Sequence, residues 1–299
     1  MQIRSRRYSP DKRRIRNSVY CLFVCLPAPW NLIHGVFLLL VVLNKHRFWF
    51  VALTAIIALV VWQAVAWIWR LPAFILPTPF QVAARFWQAL MDGSLIRHLL
   101  ITLIEVLAGL TAGVGFATLT GYWLAKSRPA ERLLSPYLVA SQALPMVAIA
   151  PLLIIWFGSG LVSKILICTL TVFFPILINT IVGVRAVPES LRELVRSLHA
   201  TPAQTLRYLE VPAALPVFLG GLRVGATLSV IGAVVGEFVG SDRGLGFLIN
   251  VGRGQYDTAL VFATILTLIA LALSLYYSVV LLEKLTLRWN RNYSSQSRS

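Results

Sequence analysis

Six long apolar stretches dominate this chain of 299 residues and limit what it can fold into. Each stretch is about as long as the roughly 20 residues that a helix needs to cross the hydrocarbon core of a bilayer. The stretches are Phe48–Trp69, Leu100–Ala125, Leu133–Phe157, Ile165–Val184, Ala213–Gly236 and Thr258–Leu282. Since 58% of the residues are hydrophobic and only 13% are charged, a soluble core could not bury this much apolar surface. The sequence therefore predicts an all-α integral membrane protein with six transmembrane helices, surrounded by lipid.

The basic residues predict how these spans are oriented. The formal net charge is +16, which in a soluble protein would suggest nucleic acid as a partner. With the N-terminus inside, however, the inner segments hold 20 Lys and Arg residues and the outer segments hold six. An excess on the cytoplasmic side is the usual charge bias of membrane proteins. We therefore predict that both the N and C termini are cytoplasmic and that nucleic acid is not a partner.

The span pattern divides the chain into five parts. The apolar run 18–43 contains two prolines, an asparagine and a histidine, and as a seventh span it would reverse the orientation that the charges favour. We therefore predict that it lies outside the core fold. The predicted parts are a basic N-terminal extension at 1–47, a first transmembrane helix at 48–69, an external amphipathic segment at 70–97, a core of five transmembrane helices at 98–283 with a cytoplasmic loop at 185–212, and a cytoplasmic tail at 284–299.

Small residues recur at every fourth position in two of the spans. The rows are Gly109, Gly113, Ala117 and Gly121 in the second span and Gly221, Gly225 and Ser229 in the fifth. Small side chains at this spacing let helix backbones approach closely in lipid. The rows predict either tight static packing or faces that slide against each other during gating, and the sequence leaves both interpretations open.

Prolines and polar side chains within the spans are candidates for a solute pathway. Pro145 and Pro151 are predicted to break the third span, and broken helices in a membrane bundle are common where a pathway is lined. Acidic residues inside a membrane are costly, which favours a functional role. An interhelical hydrogen bond for Gln142, and simple exposure at the outer interface for Glu237, remain the alternatives. The candidate lining residues are Glu105, Gln142, Pro145, Asn179 and Glu237.

The inner loop 185–212 has the signals of two short amphipathic helices. Its first part carries an apolar stripe at helical spacing, formed by Leu191, Leu194, Val195 and Leu198. Thr201 is followed by Pro202 and, at the third helical position, by Gln204, a pattern typical of a capping box. The stripe contacts either the bundle of the protein itself or a soluble partner that offers a groove to a helix.

The loop also resembles a known motif. The segment from Glu193 to His199, followed after nine residues by the segment from Leu209 to Pro212, resembles the EAA loop of permease subunits of binding-protein-dependent ABC importers. The resemblance extends over residues 76–289. It is similar to the nitrate, sulfonate and taurine subgroup, and the segment around Glu105 is more similar to permeases for riboflavin or pyrimidine thiamine precursors.

This resemblance implies the type I ABC importer permease fold and a set of partners. The partners implied are ATPase subunits that dock on the loop, an external solute-binding protein, and a second permease copy that completes a homodimer. His199 replaces the glycine of the family motif, which suits a left-handed residue at the end of the first short helix. Histidine tolerates that conformation at a cost of about 1 kcal/mol, so we expect a turn of different shape. The coupling residues implied are Leu191, Glu193, Leu194, Val195, Leu198, His199, Leu209 and Pro212.

No catalytic role is expected for this chain. It contains no Gly-x4-Gly-Lys-Ser/Thr motif, so ATP hydrolysis must come from a partner. Its three cysteines and four histidines are not spaced like metal ligands, and we predict no cofactor, no metal and no catalytic residue. The expected solute is riboflavin or a pyrimidine thiamine precursor, with a sulfonate, taurine or nitrate as the alternative. A channel, a secondary transporter and a membrane-embedded enzyme are the alternatives of other classes.

Overall fold

A computed structural model describes residues 47–69, 72–142 and 145–287 of the chain. Every regular element within these ranges is helical. The helices are α1 Arg47–Ile68, α2 Pro79–Met91, α3 Ser94–Lys126, α4 Arg128–Gln142, α5 Met146–Phe157, α6 Leu161–Arg185, α7 Glu189–Ser197, α8 Pro202–Thr205, α9 Val211–Gly240, α10 Leu245–Gly254 and α11 Thr258–Thr286. A π-helical turn, Leu206–Glu210, joins α8 to α9. The predicted extension at 1–47 and tail at 284–299 lie almost wholly outside the described residues.

The chain divides into two compact units, Met1–Val61 and Trp62–Ser299. In the first unit the structure describes only the beginning of α1, whose side chains from 53 to 60 are all exposed although most are apolar. Exposed apolar side chains along a helix are what a lipid-facing segment requires. All other helices belong to the second unit, to which the rest of the description applies.

Four helices in the described chain are long and apolar enough to cross a membrane. They are α3, α6, the continuous segment Pro202–Gly240 and α11, and they coincide with the second, fourth, fifth and sixth predicted spans. Two shorter apolar helices, Ala52–Ile68 and Met146–Phe157, lie in the regions of the first and third predicted spans. The all-helical membrane fold is confirmed, and the count of six spans stays a prediction.

The third predicted span, 133–157, consists of two helices, α4 and α5. The break falls at Pro145, which precedes α5 with an extended backbone (φ −71°, ψ 112°). Proline has no N–H group to continue a helix, so a new helix begins after it. Pro151 lies inside α5 and does not interrupt it. The prediction of a break was therefore right at the first proline and wrong at the second.

Helix α6 lies at the centre of the bundle and packs against α3 and α9. Glycines at these contacts let the helix backbones approach closely. A Cβ atom placed on Gly109 of α3 would overlap Cβ of Cys168 in α6. From α9, a Cβ atom on Gly232 would lie 2.9 Å from the Cα atom of Cys168, and one on Gly225 would lie 3.3 Å from Cγ1 of Val172. The small-residue rows therefore serve close packing, one of the two interpretations that the sequence left open.

Replacement of Gly109 by leucine is expected to destabilise this packing by about 3 kcal/mol, because the new side chain has no space between α3 and α6. Gly115 provides the matched control on the same helix, since a Cβ atom there would meet nothing within 4 Å. Both substitutions change the intrinsic helix propensity by the same amount, because each replaces glycine by leucine within α3. Thermal unfolding of the purified permease should therefore show a large loss for Gly109→Leu and little change for Gly115→Leu. Equal unfolding temperatures would contradict the packing described here.

Two ion pairs connect α11 to its neighbours α2 and α9. Nε of Arg85 in α2 donates a hydrogen bond of 2.6 Å to the carboxylate of Asp257, which caps α11. Near the other end of α11, a guanidinium nitrogen of Arg223 in α9 lies 2.7 Å from the carboxylate of Glu283. These pairs hold α11 against α2 and α9, and α11 covers the side of the bundle formed by α9 and α10.

Candidate functional site

The loop 185–212 forms the predicted pair of short helices. The first helix, α7, leaves the large side chains of its apolar stripe exposed: Leu191 is 43% exposed, Leu194 is 55% exposed and Leu198 is 72% exposed. Val195 is half-buried, and Glu193 is exposed. Within this subunit the stripe is therefore not covered by the protein's own bundle.

The turns of the loop follow the sequence signals. His199 has a φ of +50°, so it adopts the left-handed conformation that suits the family glycine, and the turn does not take the different backbone conformation that was expected. Thr201 and Gln204 form the predicted capping box, in which the backbone N–H of Gln204 donates to the Thr201 hydroxyl at 3.3 Å and the backbone N–H of Thr201 donates to Oε1 of Gln204 at 2.8 Å. The capping-box prediction is confirmed, and the two features fix where α7 ends and α8 begins.

A buried carboxylate, Glu210, anchors the loop to the bundle. Its side chain is only 1% exposed. The Tyr122 hydroxyl donates to Oε2 at 3.2 Å, the Lys126 ammonium donates to Oε1, and a guanidinium nitrogen of Arg192 lies 4.0 Å from Oε1. Arg192 also donates to the backbone carbonyl of Val184 at 2.8 Å. We call the cluster of Tyr122, Lys126, Arg192 and Glu210 the inner polar cluster.

Sequence reasoning missed the inner polar cluster. Lys126 was counted only as one of the basic residues that favour an inside location, and Glu210 was read only as an unassigned position of the motif that ends at Pro212. The available signal was Glu210 itself, an acidic residue at the junction between the loop and the fifth predicted span. The π-helical turn places this residue, because one extra residue shifts the helical phase and turns Glu210 inward while Tyr208 and Val211 are exposed.

A second buried cluster lies where α3, α6 and α9 meet the turn 241–244. Glu105 and Glu237 are fully buried and Lys164 is 4% exposed. The Lys164 ammonium lies 3.2 Å from Oε1 of Glu105 and donates to the Ser241 hydroxyl at 2.5 Å. Neither oxygen of Glu105 accepts a well-formed hydrogen bond from the described part of the chain. The cluster is therefore held by charge attraction in a site away from water.

The same cluster shapes the turn that follows α9. Oε1 of Glu237 accepts a hydrogen bond of 2.6 Å from the Thr102 hydroxyl, and Oε2 accepts one of 2.5 Å from the backbone N–H of Gly246. Gly244 has a φ of +104°, and a Cβ atom there would overlap the Glu237 carboxylate. The turn can therefore pass over Glu237 only with glycine at this position.

The structure brings together only two of the five candidate pathway residues. Glu105 and Glu237 meet in the buried cluster around Lys164. Asn179 lies 15 residues after Lys164 on α6, about 22 Å farther along the helix, and its side-chain amide donates to the backbone carbonyl of Pro175 at 2.8 Å. Pro145 is exposed at the start of α5, and the side chain of Gln142 lies outside the described residues. Their role in a pathway stays a prediction.

An apolar cleft of about 560 Å³ opens beside the inner polar cluster. Helices α3, α6 and α9 line it, with Tyr122, Thr180 and Phe218 among the lining side chains. Glu210 and Val211, at the end of the loop, form part of its wall. The cleft and the loop thus share residues. Within the described ranges, His, Cys, Asp and Glu side chains form no group of three that could hold a metal ion.

Long apolar helices packed through glycine rows, together with an exposed amphipathic helix pair between two of them, define a membrane transport subunit of the ABC importer permease class. The chain belongs to the family of binding-protein-dependent transport system inner membrane components, whose family model matches residues 113–288. It is therefore a multi-pass protein of the inner membrane.

Named relatives share most of the chain. The riboflavin transport system permease protein RibX of Chloroflexus aurantiacus is 49% identical over 236 residues, which are 79% of this chain and 88% of the relative. The formylaminopyrimidine transport permease protein ThiX of Halalkalibacterium halodurans is 35% identical over 233 residues, 78% of this chain and 92% of the relative. The inward-facing MetNI methionine ABC transporter has the same fold, with a TM-score of 0.56 and 22% identity over 64% of this chain and 95% of that chain.

Proposed function

We propose that this permease imports a small organic heterocycle, riboflavin or a pyrimidine precursor of thiamine, as a homodimer driven by ATPase subunits and supplied by an external solute-binding protein. The observation that carries the coupling part of the proposal is the exposed stripe of Leu191, Leu194 and Leu198 on α7. An apolar stripe that is exposed outside the bilayer is a typical surface for a helix that docks in a groove. The solute part rests on the relatives named for riboflavin and formylaminopyrimidine.

The ATPase would dock on the cytoplasmic side, since the loop belongs to the inner segments of the predicted topology. Six spans with both termini inside give 20 basic residues on the inner side against six outside. In this topology the coupling residues Glu193, His199, Leu209 and Pro212 also lie on the cytoplasmic side. Exposed Glu193 and His199 are free to contact the ATPase, whereas half-buried Leu209 and Pro212 connect the loop to α9.

The solute pathway would lie beside the packed centre of each subunit. The proposed lining residues Pro145 and Asn179 are exposed and half-buried, respectively. Glu105 and Glu237 touch only protein in this conformation, so their contribution to a pathway would require the turn 241–246 to move. The absence of the sequence motif for ATP binding supports an energy source in a partner subunit.

Transport assays can test the proposal directly. We expect the permease, reconstituted in proteoliposomes with its ATPase and its binding protein, to take up riboflavin when ATP is supplied on the ATPase side. Taurine in place of riboflavin should give only background uptake. Uptake of taurine but not riboflavin would reassign the solute to the sulfonate class. Riboflavin uptake that persists without the ATPase would instead indicate a channel or a secondary transporter.

A further inference from the structure

We infer that Glu210 is the positioning residue that links movement of the loop to the membrane helices, acting through Lys126 and Arg192. The inference rests on the proposed function, because it concerns how a docked ATPase moves the permease. It assigns the inner polar cluster, which lies behind the docking stripe, a role in transmission.

The cluster brings three helical elements to one carboxylate and reaches a fourth, α6, through Arg192. Glu210 ends the π-helical turn that leads into α9, and Tyr122 and Lys126 come from the last part of α3. Arg192 comes from α7 and also donates to the carbonyl of Val184 near the end of α6. The loop helix is therefore tied to each of the three helices that form the packed centre.

Arg192 lies beside the docking stripe on α7, on the flank that is turned toward the bundle. At about 100° per residue, Leu191 is rotated roughly 100° and Leu194 roughly 160° from Arg192 around the helix axis. The exposures agree with this geometry, since Leu194 is 55% exposed while the Arg192 side chain is 21% exposed. A partner that presses on the stripe would therefore act through the helix on Arg192 and, through it, on Glu210.

Burial makes this link stiff. A carboxylate that is 1% exposed is costly to leave without a charged or hydrogen-bonding partner. Tyr122 and Lys126, which donate hydrogen bonds to the carboxylate, must therefore move with Glu210, and Arg192 ties α7 to the same charge through a longer ion pair of 4.0 Å. Since Glu210 and Val211 also form part of the wall of the apolar cleft, a movement of the loop changes the shape of the cleft between α3, α6 and α9.

Two substitutions separate this role from docking. Glu210→Gln keeps the size of the side chain and removes its charge, and Arg192→Gln removes the arm that connects α7 to the cluster. Glu283→Gln is the matched control, because Glu283 also pairs with a half-buried arginine, at 2.7 Å, but lies on α11 away from the loop. All three leave Leu191, Leu194 and Leu198 in place, so the docking stripe is unchanged.

The readouts are ATPase copurification, ATP hydrolysis and riboflavin uptake in proteoliposomes that contain the complete complex. We expect Glu210→Gln and Arg192→Gln to retain the ATPase and to hydrolyse ATP, while uptake per ATP hydrolysed falls by about tenfold, the factor that corresponds to roughly 1.4 kcal/mol. Glu283→Gln should keep the wild-type ratio. If Glu210→Gln reduces membrane abundance, Arg192→Gln, whose side chain is less buried, carries the test.

The results that would overturn the inference are distinct from those that would overturn the proposed function. Wild-type ratios in both variants, or loss of ATPase copurification in Arg192→Gln at normal abundance, would show that the cluster does not act as a transmitting link. Uncoupling by Glu210→Gln alone would show that the link does not pass through α7. A wild-type permease that retains no ATPase would overturn the proposed function and the inference with it.

Discussion

Leu194→Asp should abolish ATPase copurification and solute uptake together while the permease still inserts into the membrane. Burial of a leucine side chain contributes about 1.5–3 kcal/mol, and an unpaired carboxylate in an apolar groove is unfavourable. Together these effects would weaken docking on α7 by at least about a hundredfold. Insertion should be normal because Leu194 is 55% exposed and contributes little to the fold of the subunit.

Leu194→Met is the matched control, since it keeps an apolar side chain of similar volume on the stripe and should retain the ATPase. The measurement is the amount of ATPase retained at equal membrane abundance of each permease variant. Glu193→Ala should have a milder effect, with hydrolysis uncoupled from uptake more than assembly broken. Equal retention and normal uptake in Leu194→Asp would mean that α7 is not the docking surface, and the coupling part of the proposed function would fall.

Lys164→Met should destabilise the subunit by about 3–5 kcal/mol, because it leaves the buried carboxylate of Glu105 without its cation. We expect a large loss of membrane abundance and of the unfolding temperature in detergent. The double variant Lys164→Met/Glu105→Leu should recover most of the loss, since replacing both charges of a buried pair by apolar side chains is often close to neutral. Glu237 keeps its hydrogen bonds from Thr102 and Gly246 in both variants.

Comparison of Lys164→Met with the double variant shows whether Lys164 acts through its ion pair with Glu105. If Lys164→Met behaves like the wild type, the buried ion pair described here does not hold the ends of α3 and α6 together. If the double variant is as unstable as the single one, Lys164 acts through its hydrogen bond to Ser241 and not through Glu105. Thermal unfolding of both variants, compared at equal detergent concentration, distinguishes these outcomes.

Features with a local cause could be predicted from the sequence. The long helices follow from apolar run lengths, and the loop helices follow from the stripe around Leu194 and from the capping box at Thr201 and Gln204. The position of the turn at His199 follows from its place in a motif that elsewhere has glycine, whereas its retained left-handed conformation was not expected. Each of these depends on residues within a few positions of one another, where spacing in sequence determines spacing in the helix.

Features that depend on contacts between distant residues could not be predicted. Lys164 was counted as a basic residue of an outer segment, yet it lies buried in the first turn of α6 beside Glu105, 59 positions earlier in the sequence. Lys126 and Glu210 are separated by 84 positions and still form an ion pair. Side-chain charge alone gives no indication of which partner a residue will meet, so both polar clusters required the fold.

The close packing of two glycine rows against α6 limits which parts of the subunit can move relative to each other. A Cβ atom at Gly109 or Gly232 would overlap α6, so α6 has no space for larger side chains against α3 or α9. We therefore expect the packed middle of α3, α6 and α9 to move as one body, whereas the cleft wall formed by Glu210 and Val211 can move with the loop. If the subunit pairs with a second copy as proposed, the solute passage should then run along the outside of this body, at the boundary between the two copies.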